Sequence, residues 1–200
     1  MMRLLPLRFA AGCVLALLCL APSLARATDL GEPGIGDAAA LVTIIEYSSL
    51  TCPHCAAFHN DVLPELKKRY IDTGKVRLLL RDFPLDESAL KAAIIAHCAG
   101  PTRQPSFVEV FFAQQQSWAR AKDPIAALKQ LARLGGLGGD QIDACLADKD
   151  LETAVLQARL DGQKQFDIKS TPTFIIDGKV QTGEHSVEAF AAIIDPLLPK

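Results

Sequence analysis

Cys52-Pro53-His54-Cys55 places two thiols two residues apart, with a proline and a histidine between them. Cysteines at this spacing can close a small disulfide ring. Their chemistry depends on which one is held as a thiolate, because the thiolate is both the attacking and the leaving form. The motif follows a β-branched run and opens a helical stripe. Its first sulfur therefore meets unpaired backbone N–H groups and the positive end of a helix dipole, both of which favour a thiolate at Cys52. Cys52 is expected to be exposed and to attack, and Cys55 to turn inward and resolve. His54 is expected to add a donor or partial positive charge near the Cys52 sulfur. Pro53 is tolerated because the first helical turn loses no N–H bond there, and Thr51 is a suitable N-cap. Stabilising the thiolate stabilises the reduced pair, and about 1.4 kcal/mol moves a two-electron couple by about 30 mV. The predicted direction is an oxidising couple.

The same residues admit metal capture, since Cys52, Cys55 and His59 have Cys-x2-Cys-x3-His spacing. A closed zinc site needs a fourth ligand, and the sequence has no second short-spaced pair, so no metal is assigned. The simpler reading of His59 is a residue one turn along an exposed helix face. Two further cysteines, Cys98 and Cys145, lie on apolar stripes of different predicted helices. They are either a structural disulfide, the preferred reading, or two separately buried thiols. The chain-entropy model assigns about 4 kcal/mol to a crosslink closing a loop of that length.

The elements that must position these groups follow from pattern. Leu41 to Tyr47 reads as a strand covered on both faces. A helix from Cys52 to Tyr70 carries Phe58, Val62, Leu63 and Leu66, and Pro64 should kink it. Val76 to Phe83 is a second strand. The next 80 or so residues repeat helical stripes: Leu90, Ala93, Ile94, His97; Phe107, Val110, Phe111, Gln114, Trp118; Ile125, Leu128, Ala132. A glycine cluster at 135–139 breaks the block, Asp140 is expected to cap the next helix, and a longer helix runs from about Leu151 to Phe166. Thr173 to Ile176 and Lys179 to Thr182 form a hairpin about Asp177-Gly178, and Val187, Phe190, Ala191 and Ile194 mark an amphipathic closing helix. Tyr47, Phe58 and Phe174 are expected in the core. The fold class is α/β.

The chain has 200 residues and a formal net charge of −2, which supplies no basic field for nucleic acid. Arg3 and Arg8 precede an apolar stretch, and Ala25-Arg26-Ala27 is a small-x-small site, so residues 1–27 read as a cleaved export signal. The uncharged stretch from Phe9 to Ala25 is shorter than the roughly 20 residues a membrane span needs. Cleavage removes three arginines and no acids, leaving a mildly acidic mature chain. It retains four cysteines in a compartment where disulfides persist.

A strand, CPHC at a helix start, a helical insertion, then Thr171-Pro172 before a hairpin and helix resembles the DsbA family of periplasmic thiol:disulfide oxidoreductases, over about residues 38–198. The resemblance implies a thioredoxin-like domain (28–83 and 167–200) interrupted by a helical insertion (84–166). It implies a cis Thr171-Pro172 bond lying against the disulfide, with Thr171 backbone groups pairing an extended substrate. It also implies that Glu46, six residues before Cys52, is a buried acid relaying the proton of Cys55; the alternative is a strand-end glutamate paired with Arg81. The implied partners are unfolded or partly folded exported proteins with free cysteines, and a membrane quinone-linked reoxidase of the DsbB or vitamin-K-epoxide-reductase type. No bound cofactor is required. Only about a dozen mature residues precede the first strand, too few for a dimerisation segment, so a monomer is expected. An isomerase or reductase is the alternative enzyme, and a redox-responsive chaperone or metal carrier the alternative of another class.

Overall fold

The computed structural model describes residues 28–183 and 186–199, so the export signal expected at 1–27 lies outside the described residues. Five strands form one sheet: β1 (Gly34–Ile35), β2 (Val42–Ser48), β3 (Val76–Asp82), β4 (Thr173–Ile176) and β5 (Lys179–Thr182), in the order β1-β3-β2-β4-β5. β2 and β3 are parallel and the remaining pairs antiparallel. The central strands β2 and β4 carry buried residues on both faces, which explains their near-continuous apolar character. The β4–β5 turn places Asp177 and Gly178 at φ 50° and 71°, the left-handed pair that two-residue hairpins require.

The segment expected to be one kinked helix is instead α1 (Pro53–Ala57), a π-turn (Phe58–Val62), α2 (Leu63–Leu66) and a second π-turn (Lys67–Ile71). Pro64 lacks an N–H and its ring crowds the carbonyl four residues back. The turn before it widens accordingly, and the Leu63 N–H reaches back to the Phe58 carbonyl. That extra residue per turn changes which side chains after Cys55 face inward.

The helical block comprises α3 (Glu87–His97), α4 (Gln104–Ala113), α5 (Gln115–Trp118), α6 (Pro124–Leu134), α7 (Gly139–Ala147) and α8 (Lys149–Phe166). The stripe read as continuous from Phe107 to Trp118 breaks at Gln114, whose φ and ψ are −104° and 10°. The break shifts the phase, so Gln115 is buried and Gln114 is exposed. Gly138, not Asp140, is the N-cap of α7, and Asp140 sits in the first turn, where its charge still suits the dipole. Asp148 caps α8 through the N–H groups of Asp150 and Leu151. Gly162 on α8 is required by proximity, since a Cβ there would lie 2.5 Å from the Tyr47 ring.

One apolar core spans sheet and helices. The Phe58, Phe174 and Phe190 rings, from the first π-turn, β4 and α9 (Val187–Ile194), meet at centroid distances of 4.7 to 5.6 Å. The same cluster continues through Ile94, Phe111, Phe112 and Leu128 of the helical block. Tyr47 is buried in a smaller cluster with Phe83, Ile168 and Ile175. Among the described residues no helix is long and apolar enough to cross a membrane.

Candidate active site

Cys52 is the N-cap of α1, with extended backbone at φ −76° and ψ 121°. Thr51, expected to cap the helix, does not: its hydroxyl donates to Asp86 Oδ2 at 2.6 Å, and no side chain caps α1. The N–H groups of the first turn are therefore left to the sulfur. Cys55 is fully buried, and Cys52, expected to be open, is only 6% exposed because the Thr171 segment covers it. The Cys52 Sγ donates to the Thr171 carbonyl at 3.3 Å. The Thr171-Pro172 bond is cis, so residues 119 positions apart meet at one helix start.

The two thiols have opposite titration tendencies. The Cys55 thiol donates to the Cys52 sulfur and pulls its pKa down to about 5. Thr171 and the backbone N–H groups of Cys55 and His54 act in the same direction, against the opposing effect of burial. Burial pushes the Cys55 thiol up, as do its contact with Cys52 and the negative charge of Glu46. At neutral pH the reduced pair is thus a thiolate at Cys52 and a thiol at Cys55. The backbone N–H of His54 is among the expected first-turn donors that favour the thiolate, and the His54 side chain lies on the exposed side of α1.

Glu46 lies in the middle of β2, fully buried between Leu80 of β3 and Phe174 of β4. Its partner is not Arg81. Arg81 is in register with Tyr47, one residue on and hence on the opposite face, and it binds Glu32 at 3.4 Å. Instead Glu46 meets His59, whose Nε2 lies 2.9 Å from Oε2 and 3.2 Å from Oε1. His59 is buried, not on an exposed face: the π-turn and α4 enclose it, with the ring stacked on Phe112 at 4.2 Å. Among the described residues no three His, Cys, Asp or Glu side chains are grouped to hold a metal.

Two positioning groups had no chemical signature in the sequence. Gln115 of α5, buried, donates from Nε2 to the carbonyls of both Leu50 and Cys52 at 2.9 Å. Asp86 binds Thr51 through one oxygen and caps α3 at the Ala89 N–H through the other, at 2.8 Å. An aspartate just ahead of a helical stripe is a helix-cap signal, but nothing in residue order marks Asp86 as a brace on the cysteine loop. Leu50, two residues before Cys52, is buried in the core. Away from these residues, Cys98 and Cys145 are joined by a disulfide with a Cα–Cα distance of 6.1 Å, tying the end of α3 to α7. A cavity of about 660 Å³ beside α8 and the N-terminal arm is lined by none of Cys52, Cys55, Thr171 or Pro172.

Residues 28–196 match the family model described as Thioredoxin. A Rickettsia conorii protein provisionally named a protein-disulfide oxidoreductase is 36% identical over 174 residues, 85% of this chain; the chain spans 61% of that relative's length. The crystal structure of Wolbachia pipientis alpha-DsbA1 superposes with a TM-score of 0.77 at 32% identity, covering 83% of this chain and 90% of that one. Oxidised BdbD from Bacillus subtilis shares the fold, with a TM-score of 0.73 at 22% identity over 83% of this chain and 92% of that one. The thioredoxin-family match over nearly the whole described chain, joined to this likeness to alpha-DsbA1, shows that the chain belongs to the DsbA family of thioredoxin-fold thiol:disulfide oxidoreductases.

Proposed function

We propose that this chain is an exported oxidase that donates the Cys52–Cys55 disulfide to folding secreted proteins. The observation that carries the reading is the asymmetry of the two thiols, one held as a thiolate at the helix start and the other kept protonated in the core. A substrate thiolate attacks Cys52 Sγ, and Cys55 leaves with the bonding electron pair and takes up a proton. A second substrate thiolate then attacks the substrate sulfur of the mixed disulfide, and Cys52 leaves as the stabilised thiolate. The substrate has gained a disulfide and the enzyme holds the two electrons. In the mixed disulfide the Cys52 sulfur carries no proton to donate, so the Thr171 carbonyl is open to accept from the backbone of an extended substrate.

Glu46 is proposed to exchange the Cys55 proton, Thr171 and Pro172 to line the substrate position, and His54 and Pro53 to complete the thiolate-stabilising turn. The two electrons pass onward to a membrane quinone-linked reoxidase of the DsbB or vitamin-K-epoxide-reductase type. The export pattern at residues 1–27 supports a periplasmic location, where the acting form is a monomer.

The test is the reduction potential of the pair, measured by equilibrating the chain lacking residues 1–27 with glutathione buffers. A value nearer the roughly −120 mV of DsbA than the roughly −270 mV of thioredoxin is expected. A thioredoxin-like value would move the protein to the reductase or isomerase class.

A further inference from the structure

Cys55 exchanges a proton at every turnover, inside a core that excludes water. Glu46 is the acid beside it, yet an isolated carboxylate this deeply buried favours its neutral form and then cannot accept a proton. The sheet offers no relief, since the strand neighbours of Glu46 are Leu80 and Phe174. His59 reaches it from the π-turn and contacts both carboxylate oxygens through Nε2, at 2.9 and 3.2 Å. The Nδ1 of the same ring is buried without a hydrogen-bond partner. A proton on Nδ1 would be a buried donor with no acceptor, whereas a proton on Nε2 is received by the carboxylate. This assigns the neutral Nε2–H tautomer. What α4 presents to the ring is Phe112, and the adjacent Phe58 packs edge-on at 5.4 Å. The charge of Glu46 acts on Cys55 of α1, whose thiol in turn is hydrogen-bonded to Cys52.

We infer that His59 is a positioning residue that, by donating Nε2–H to both oxygens, holds the Glu46 carboxylate in place as the acceptor for the proton of Cys55. In the closing step the proton of the Cys55 thiol passes to a Glu46 oxygen, and the resulting thiolate attacks Cys52 Sγ. The sulfur-linked partner leaves with its electron pair. In the opening step the Cys55 thiolate recovers the proton from Glu46. The inference rests on the Glu46 relay proposed above, but not on the direction in which the enzyme runs.

The experiment uses reduced protein and oxidised glutathione. Cys52 attacks the glutathione disulfide, and the subsequent expulsion of glutathione by Cys55 is followed by stopped flow across the acid-to-neutral pH range. His59→Leu is expected to slow this closure about tenfold or more and to change its pH profile, because Glu46 loses the Nε2–H that holds its two oxygens in place for the transfer. His59→Gln, which keeps an N–H donor but no ring, is expected to restore most of the rate. His59→Phe, which keeps a ring against Phe112, is expected to behave as His59→Leu and serves if the leucine variant does not fold. A wild-type profile in the Leu or Phe variant, or a Gln variant as slow as Leu, overturns the inference. Glu46→Gln separates the two levels: if it closes at the wild-type rate the relay itself falls, whereas slow closure there beside normal closure in His59→Phe removes His59 alone.

Discussion

At the scale of single residues, the site is a contrast between two identical side chains in different surroundings. Cys52 stands where α1 begins and receives hydrogen bonds, while Cys55, three residues later, has turned into the core. Iodoacetamide alkylation of Cys52 should therefore titrate with a midpoint near 5, far below the ordinary thiol value of 9.0. The Cys55 thiol is the largest contributor to that depression, so Cys55→Ala should raise the midpoint, and an unchanged alkylation profile would refute the assignment. Cys55→Ser should accumulate substrate linked to Cys52, seen as adducts on non-reducing gels, and Cys52→Ser should form none. The same shift has a consequence for stability. Because the pKa of Cys52 is lower folded than unfolded, the stabilisation it gives the reduced protein is complete above about pH 9 and is lost as pH falls through about 5. The stability gap between reduced and oxidised protein should narrow over that window in denaturant titrations.

At the scale of elements, the cysteine loop is held from outside its own sequence neighbourhood. Gln115 satisfies two carbonyls of the loop from α5, and Asp86 ties Thr51 to the first turn of α3. Removing the amide leaves buried acceptors unpaired, a loss of about 1–3 kcal/mol. Gln115→Leu should lower the urea midpoint by a corresponding amount with an unchanged denaturant slope. A variant as stable as the parent would show that the two bonds contribute nothing net. The helical block thus braces the loop that carries the chemistry as well as burying apolar surface.

At the scale of the whole molecule, the sheet and the helical block share one core, and the Cys98–Cys145 disulfide crosslinks two helices within the block. The crosslink closes a loop with a sequence separation of 47, for which chain entropy assigns about 4 kcal/mol. The Cys98→Ala, Cys145→Ala double variant should lose about 2–4 kcal/mol in equilibrium unfolding while leaving the Cys52–Cys55 potential unchanged, since neither cysteine contacts the active pair. A shifted potential would indicate that the block transmits strain to the cysteine loop.

The local features were legible from residue order because their causes are local. Cys52-x-x-Cys55 at a strand–helix junction, the β-branched runs of β2 and β3, the Asp177-Gly178 hairpin and the apolar period of α9 each depend on neighbours a few positions away. The resemblance carried by CPHC and Thr171-Pro172 extended that reading to the fold family. Tertiary packing decided the rest. His59 is buried because Pro64 widens the turn before it and Phe112, 53 positions later, covers it. Glu46 pairs with His59 and not Arg81 because the pleat sends Arg81 to the other face. Gln115 faces the loop because the helix breaks at Gln114. Such partners are far apart along the chain, and each is set by which side chain the folded backbone brings within about 3 Å, a distance no one-dimensional pattern encodes.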